Sequence, residues 1–135
     1  MADRACMAIL QDGQLLLVRQ TYRGETLWTF PGGGIMLDET AAGAAVREVK
    51  EETNLDTQIV RLLYTGPRTR GSGMYYCYQG EIIGGVLQLG TDPELPRYAQ
   101  ELHEVRWWQI EWLTEHPEVS LILPALCQQK GPANG

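Results

Sequence analysis

The run Arg47-Glu48-Val49-Lys50-Glu51-Glu52 sets three carboxylates and a guanidinium close together, and their spacing matters if the segment is a helix. With successive side chains ~100° apart and Arg47 at zero, Glu51 falls at about 40°, Glu48 at about 100° and Glu52 at about 140°, so the acids share one flank. Ala42, Val46 and Val49 fall at about 220°, 260° and 200° on the same ~100° wheel, which predicts an apolar stripe on the opposite flank. Lys50, at about 300°, points away from the glutamates. A charged helical stretch is ordinarily a solvated face. Three details argue against that here. Glu48 and Glu52 are a like-charge i,i+4 pair that repels by roughly a few tenths of a kcal/mol, and the helix's lysine is not placed to relieve it. Ala41 and Ala44 are short and leave room on the acidic flank. Upstream, Gly32-Gly33-Gly34 lets bare backbone and its carbonyl oxygens come close to a ligand. Carboxylate and carbonyl oxygens together suit a hard divalent cation, Mg²⁺ or Mn²⁺.

Further candidates are more dispersed. Arg68 and Arg70 lie on a glycine-flanked loop beside a tyrosine-rich strand, where they could grip phosphate or stack on a base. Arg19 and Arg23, just before Trp28, could reach a terminal phosphate. The ordinary alternative for Arg68 and Arg70 is a solvated hairpin loop. Tyr75, Tyr76, Tyr78, Trp107 and Trp108 are expected to be core and sheet-face residues, since aromatic side chains serve burial first. His103 and His116 form no HExxH or zinc spacing and are expected at the surface.

The elements that must position these groups can be read from pattern. Ala5 to Leu10 and Leu15 to Arg19 are apolar strand-length runs around Asp12-Gly13, a hairpin signal. Leu27 to Phe30 reads as a short strand, which Pro31 and three glycines should stop, with regular structure excluded until Ile35 to Leu37. From Ala41 to Thr53 the residues favour helix, with Thr40 as N-cap and Asn54 as a left-handed stop. Gln58 to Tyr64, Met74 to Ile83 and Val86 to Leu89 predict strands, the last two divided by a turn at Gly84-Gly85. A loop over 91–96 leads to a strand from Val105 to Trp108 and a helix near Glu111. A final helix from Glu118 to Gln129 should kink or break at Pro124, and Gly131 to Gly135 should fray. No repeat or linker interrupts the pattern, so residues 1–135 are read as one α/β or α+β domain.

At 135 residues the chain suits a single core. Seventeen acidic against eleven basic residues give a net charge of −6, which disfavours nucleic-acid polymers as partners, because their affinity rests on Lys and Arg displacing counterions. A small polyphosphate stays compatible if divalent cations stand between it and the carboxylates. Cys6, Cys77 and Cys127 form neither a CxxC pair nor a disulfide framework, and are expected to be buried thiols in a reducing cytosol. The start of the chain carries neither a signal-peptide pattern nor a membrane span. A cytoplasmic protein without a membrane partner is expected.

Written out, Gly33, five residues, Glu39, seven residues, then Arg47-Glu48-Val49-Lys50-Glu51-Glu52-Thr53-Asn54-Leu55 resembles the Nudix box, Gx5Ex7REUxEExGU with U aliphatic. Asn54 stands in place of the box glycine, a mild departure because Asn tolerates the left-handed helix-ending conformation. Trp28 to Gly34 is similar to the family's usual lead-in. Met36 departs from the glutamate many members carry there.

The resemblance implies a mixed β-sheet sandwiched between α-helices. It also implies a metal-dependent pyrophosphohydrolase acting on a nucleoside diphosphate linked to a further group, such as ADP-ribose, a dinucleoside polyphosphate, or a nucleoside triphosphate, oxidised forms included. On this reading Glu48, Glu51 and Glu52, with the carbonyl of Gly32 or Gly33, bind two or three divalent ions. Arg47 holds Glu39 and Glu51 by charge-assisted hydrogen bonds. The general base is a glutamate of the box or one on a later loop. Glu101 and Glu104 stand at a place resembling the region from which some members supply such a residue, Glu101 as the catalytic candidate and Glu104 grouped with the substrate contacts. A two-fold homodimer is common in the family. The competing reading is a catalytically silent nucleotide-binding domain on the same fold.

Overall fold

The computed structural model describes residues 3–22, 24–69, 71–92, 95–96 and 99–128. Arg23, Arg70 and the expected tail from Gly131 lie outside the described residues. Strands β1 (Arg4–Gln11) and β2 (Gln14–Tyr22) form the expected hairpin, turned by Asp12 and Gly13 at φ 53° and 76°. These positive values are what an Asp-Gly turn accommodates. β3 (Glu25–Thr29), β4 (Gly32–Gly34), β5 (Leu55–Pro67), β6 (Met74–Gly85) and β7 (Leu102–Gln109) complete one mixed sheet in the order β3-β2-β1-β6-β5, with β4 on β1 and β7 on β2. β1 runs parallel to β6 and antiparallel to β2 and β4.

Two helices cover the sheet. α1 (Ala41–Thr53) packs with Ala5, Met7, Ile9 and Leu16. α2 (Pro117–Leu126) packs with Cys6, Ala8, Leu15 and Leu17 on the other side. Alternate residues of β1 thus enter two cores, which is why its sequence reads as an unbroken apolar run. α1 begins and ends as expected: the Thr40 hydroxyl accepts the Gly43 N–H at 2.9 Å, and Asn54 sits at φ 65°. Lys50, turned from the acids, pairs with Asp56 at 3.0 Å.

Several expectations are corrected. The glycines after Pro31 are a strand, because a residue without Cβ is what the space allows: a Cβ on Gly32 would lie 2.4 Å from the Ala5 carbonyl oxygen. Ile35 to Leu37 is not a strand, and only the Ile35 N–H, donated to the Asp3 carbonyl, continues the pairing. Val86 to Leu89 is not a strand either. That segment instead crosses the C-terminal end of α1, with Gln88 and Gly90 donating to the carbonyls of Thr53 and Glu52. Gly84 and Gly85 belong to β6, opposite Asp56 and Leu55. Near Glu111 there is only a 3₁₀ turn, Ile110–Trp112. α2 is one piece that stops at Leu126, two residues beyond Pro124. Cys6 and Cys77 are buried, whereas Cys127 is exposed beyond the end of α2. No helix among the described residues is long and apolar enough to cross a membrane.

Candidate active site

The acids of α1 do share a flank, but it is not the solvent flank. Ala44, Ala45, Val49 and Thr53 are the buried residues of the helix. On the ~100° wheel these span about 60° to 240°, so Glu48 and Glu52 lie inside the buried arc. Ala44 is therefore core, not a stub leaving open space, and the expected stripe through Ala42 and Val46 is only half-buried. Glu48 and Glu52 face inward because β4 passes beneath them, while Glu51 stays exposed at the rim. A Cβ at Gly33 would lie 2.4 Å from the Glu48 carboxyl carbon, so glycine is what leaves that carboxyl its place against the strand.

Arg47 organises the outer rim. Its Nε and Nη2 donate to Glu39 at 2.6 and 2.9 Å, Nη2 also to the Gly34 carbonyl at 3.0 Å, and Nη1 to Glu48 at 3.0 Å and Glu51 at 3.4 Å. The fork on Glu39 holds that carboxyl down at about 2, helped by the Met36 N–H, and the same contact raises the arginine's own pKa. Glu52 lies deeper. Its Oε1 accepts the Gly32 N–H at 3.0 Å, yet burial, with Glu48 and Glu51 adding repulsion, pushes its carboxyl up to about 8. Burial likewise raises Glu48, against the opposing pull of Arg47.

A third glutamate holds the same loop from the other face. Glu118, in the first turn of α2, accepts the Phe30 N–H at 3.0 Å through Oε1. Its Oε2 accepts the Tyr75 hydroxyl and lies 3.5 Å from Cys6 Sγ, which is itself 2.8 Å from that hydroxyl. Burial pushes both the thiol and the phenol upward, so both keep their protons. His116 is not a loose surface residue: its Nδ1 caps α2 and its Nε2 meets the Trp28 carbonyl at 2.7 Å. Sequence pattern gave no site role to Glu118 or Arg4 and set His116 at the surface. The available signals were the His-Pro-Glu helix start and an arginine heading an apolar strand.

The residue set fits a divalent cation by its chemistry. Gly33 leaves bare backbone against Glu48, and Glu52 brings a carboxyl whose charge is under-compensated. Among the described residues no three acidic, histidine or cysteine side chains converge as a ready cage. The physical reason is visible in Arg47, which takes the Oε2 atoms of both Glu48 and Glu51.

The remaining candidates are not gathered here. Arg19 pairs with Glu104 at 3.3 Å across β2 and β7, and Arg106 approaches the same glutamate at 3.8 Å. Arg106 stacks over Trp28 and Trp108, which adjoin the α2 core, so this pair faces away from α1. Glu101 is exposed and only its carbonyl is engaged, by the Thr21 N–H. Arg68 is on the α2 side, at the rim of a cavity.

The sequence matches the NUDIX domain family over residues 1–126. The chain belongs to the Nudix family. It is 26% identical to NAD-capped RNA hydrolase NudC of Vibrio atlanticus over 122 residues, 90% of this chain and 42% of that protein. It is 41% identical to phosphatase NudJ of Escherichia coli over 54 residues, 40% of this chain and 35% of that one. Among solved Nudix-like folds, an ADP-ribose pyrophosphatase from Streptococcus suis superposes with a TM-score of 0.70 at 22% identity, covering 95% of this chain and 93% of the other. The chain spans from about a quarter to under half the length of the curated relatives it matches. The fold expected from the Nudix box, a mixed sheet between helices, is the fold observed.

Proposed function

We propose that this chain hydrolyses a phosphoanhydride bond in a nucleoside diphosphate linked to a further group: ADP-ribose, a dinucleoside polyphosphate, or a nucleoside triphosphate, oxidised forms included. The observation that carries the reading is the strand Gly32–Gly34 lying bare beneath Glu48 and Glu52. An acidic cluster turned inward against stripped backbone has no role in solubility. Names borne by similar proteins, NAD-capped RNA hydrolase and ADP-ribose pyrophosphatase among them, support a substrate of this class.

Glu48, Glu51 and Glu52, with the carbonyls of Gly32 and Gly33, would hold Mg²⁺ or Mn²⁺. Such an ion neutralises diphosphate oxygens and makes water more acidic. Arg47 keeps Glu39, Glu48 and Glu51 in register with β4 through Gly34. The proton of the attacking water passes to a carboxylate of this cluster. The reading extends to a cytoplasmic homodimer, which fractionation and light scattering check.

The test is incubation with this substrate panel in Mg²⁺ or Mn²⁺, comparing wild type with Glu52→Gln. Metal-dependent cleavage that the substitution abolishes is expected. Binding without cleavage across the panel, unchanged by Glu52→Gln, identifies a silent nucleotide-binding domain instead.

A further inference from the structure

On the α2 side of the sheet, beside the loop that carries the proposed metal site, lies a cavity of about 170 Å³. Leu27, Trp28 and Pro67 give it apolar walls, and Arg4, His116 and Glu118 bring polar groups into it. Sites that hold a whole drug-sized ligand run to roughly 300–1,000 Å³. A space of this size takes one ring system of a nucleotide and leaves the phosphates outside.

Arg4 stands at the seam between this cavity and the acids of α1. It heads β1, directly opposite Gly34 of β4 and Tyr75 of β6. Its charge is felt by Glu118 on one side and by Glu52 on the other. Unlike Arg47, forked on Glu39, and Arg19, paired with Glu104, the Arg4 guanidinium makes no side-chain hydrogen bond or ion pair with a described residue. Glu118 does not take the role of partner, because its oxygens are already occupied by the Phe30 N–H, the Tyr75 hydroxyl and the Cys6 thiol. A half-buried guanidinium with its donors unspent is matched by a planar or tetrahedral oxyanion, and phosphate is the one the neighbouring site supplies.

We propose that Arg4 is a substrate-binding residue that grips a phosphate of the nucleotide at this seam, so that the cavity beside Trp28 and Glu118 receives the one ring group attached to that phosphate. The inference rests on the hydrolase reading above and deepens it by assigning where the non-reacting end of the substrate lies. It also gives the acidic protein a fixed cation at its phosphate site that does not depend on metal.

The test is therefore made without metal. Binding of ADP, GDP, CDP and UDP, and of the four corresponding nucleosides, is measured in EDTA by NMR titration for wild type, Arg4→Gln and Arg4→Lys. Wild type should bind at least one diphosphate more tightly than its nucleoside. Arg4→Gln should weaken that diphosphate by on the order of tenfold, the worth of one charge-assisted contact, and leave the nucleoside within about twofold. Arg4→Lys, which keeps the charge and loses the fork, should fall between the two. A folded Arg4→Gln with undiminished diphosphate affinity overturns the proposal, as does a wild type that prefers no diphosphate to its nucleoside. If Arg4→Gln loses the wild-type melting temperature, Arg4→Lys decides: a diphosphate-to-nucleoside ratio equal to wild type overturns the proposal and a reduced ratio supports it. Arg4-dependent diphosphate binding with no cleavage of any substrate in Mg²⁺ would remove the hydrolase reading alone. Cleavage with an unaltered KM in Arg4→Gln would remove the Arg4 assignment alone.

Discussion

Glu52 and Glu118 hold the same short loop from opposite faces, and they are held in opposite ways. Glu118 accepts the Phe30 N–H and the Tyr75 hydroxyl, with a thiol alongside, and belongs to a closed polar cluster. Glu52 accepts the Gly32 N–H and otherwise meets burial and the charge of its neighbours. A buried acid with its partners in place stabilises a fold. One whose burial and acidic neighbours outweigh its amide contact and the charge of Arg4 suits a further cation. The two environments therefore separate an acid set in a closed structural cluster from the acid proposed to serve the chemistry, within a few residues of one loop.

Glu52→Gln should break that contrast most sharply. If Glu52 serves the chemistry, turnover falls by roughly 10²–10⁴-fold, the range for a lost acid–base or electrostatic group, while urea unfolding shows no loss of stability. Loss of stability with activity retained would reverse the assignment. Next in size is Gly33→Ala. The new methyl meets the Glu48 carboxyl, a flexible end that can swing away, so the fold survives while the cluster is displaced. Activity should drop by about 10²-fold, as for other displacements near 1 Å, with the melting temperature little changed.

Glu118→Ala should do the reverse. It leaves the Phe30 N–H and the Tyr75 hydroxyl without acceptors, each costing about 1–3 kcal/mol in denaturant melts.

The smallest and most discriminating effect is in pH dependence without metal. Glu39, held down at about 2 by Arg47, contributes stability that is present above its ordinary value of 4.5 and is lost as pH falls towards 2. Glu52, raised to about 8, works the other way: between 4.5 and 8 the folded state keeps a proton that the unfolded chain releases. Stability contributed by Glu52 is thus full below 4.5 and lost as pH rises through about 8. Unfolding free energies in EDTA should decline over that window in wild type, and Glu52→Gln should flatten the decline. A wild-type profile with no slope between 5 and 8 that differs from the variant's would sink the account of Glu52.

Local pattern gave the sequence reading its strengths. Thr40, Asn54 and the residues between them set α1 without reference to the rest of the chain, because caps and propensity act within a few residues. The wheel correctly grouped Glu48, Glu51 and Glu52, since periodicity fixes which side chains share a flank. It set the packing stripe through Ala42, Val46 and Val49 and left the acids an open flank, because nothing in a wheel shows that β4 runs underneath. Three glycines read as a break for the same reason: intrinsic propensity is poor, and the strand exists only through β1 and α1 on either side. The α2-side cluster was out of reach altogether, being assembled from Arg4, Cys6, Tyr75 and Glu118, which come together only through the sheet.

The Gly32 amide has one acceptor, and that acceptor is Glu52. Anything that draws the carboxylate towards a cation must loosen its hold on this N–H, so the chain carries a built-in spectroscopic reporter. The chemical shift and exchange rate of a single glycine proton would register loading of the site, before any substrate is added.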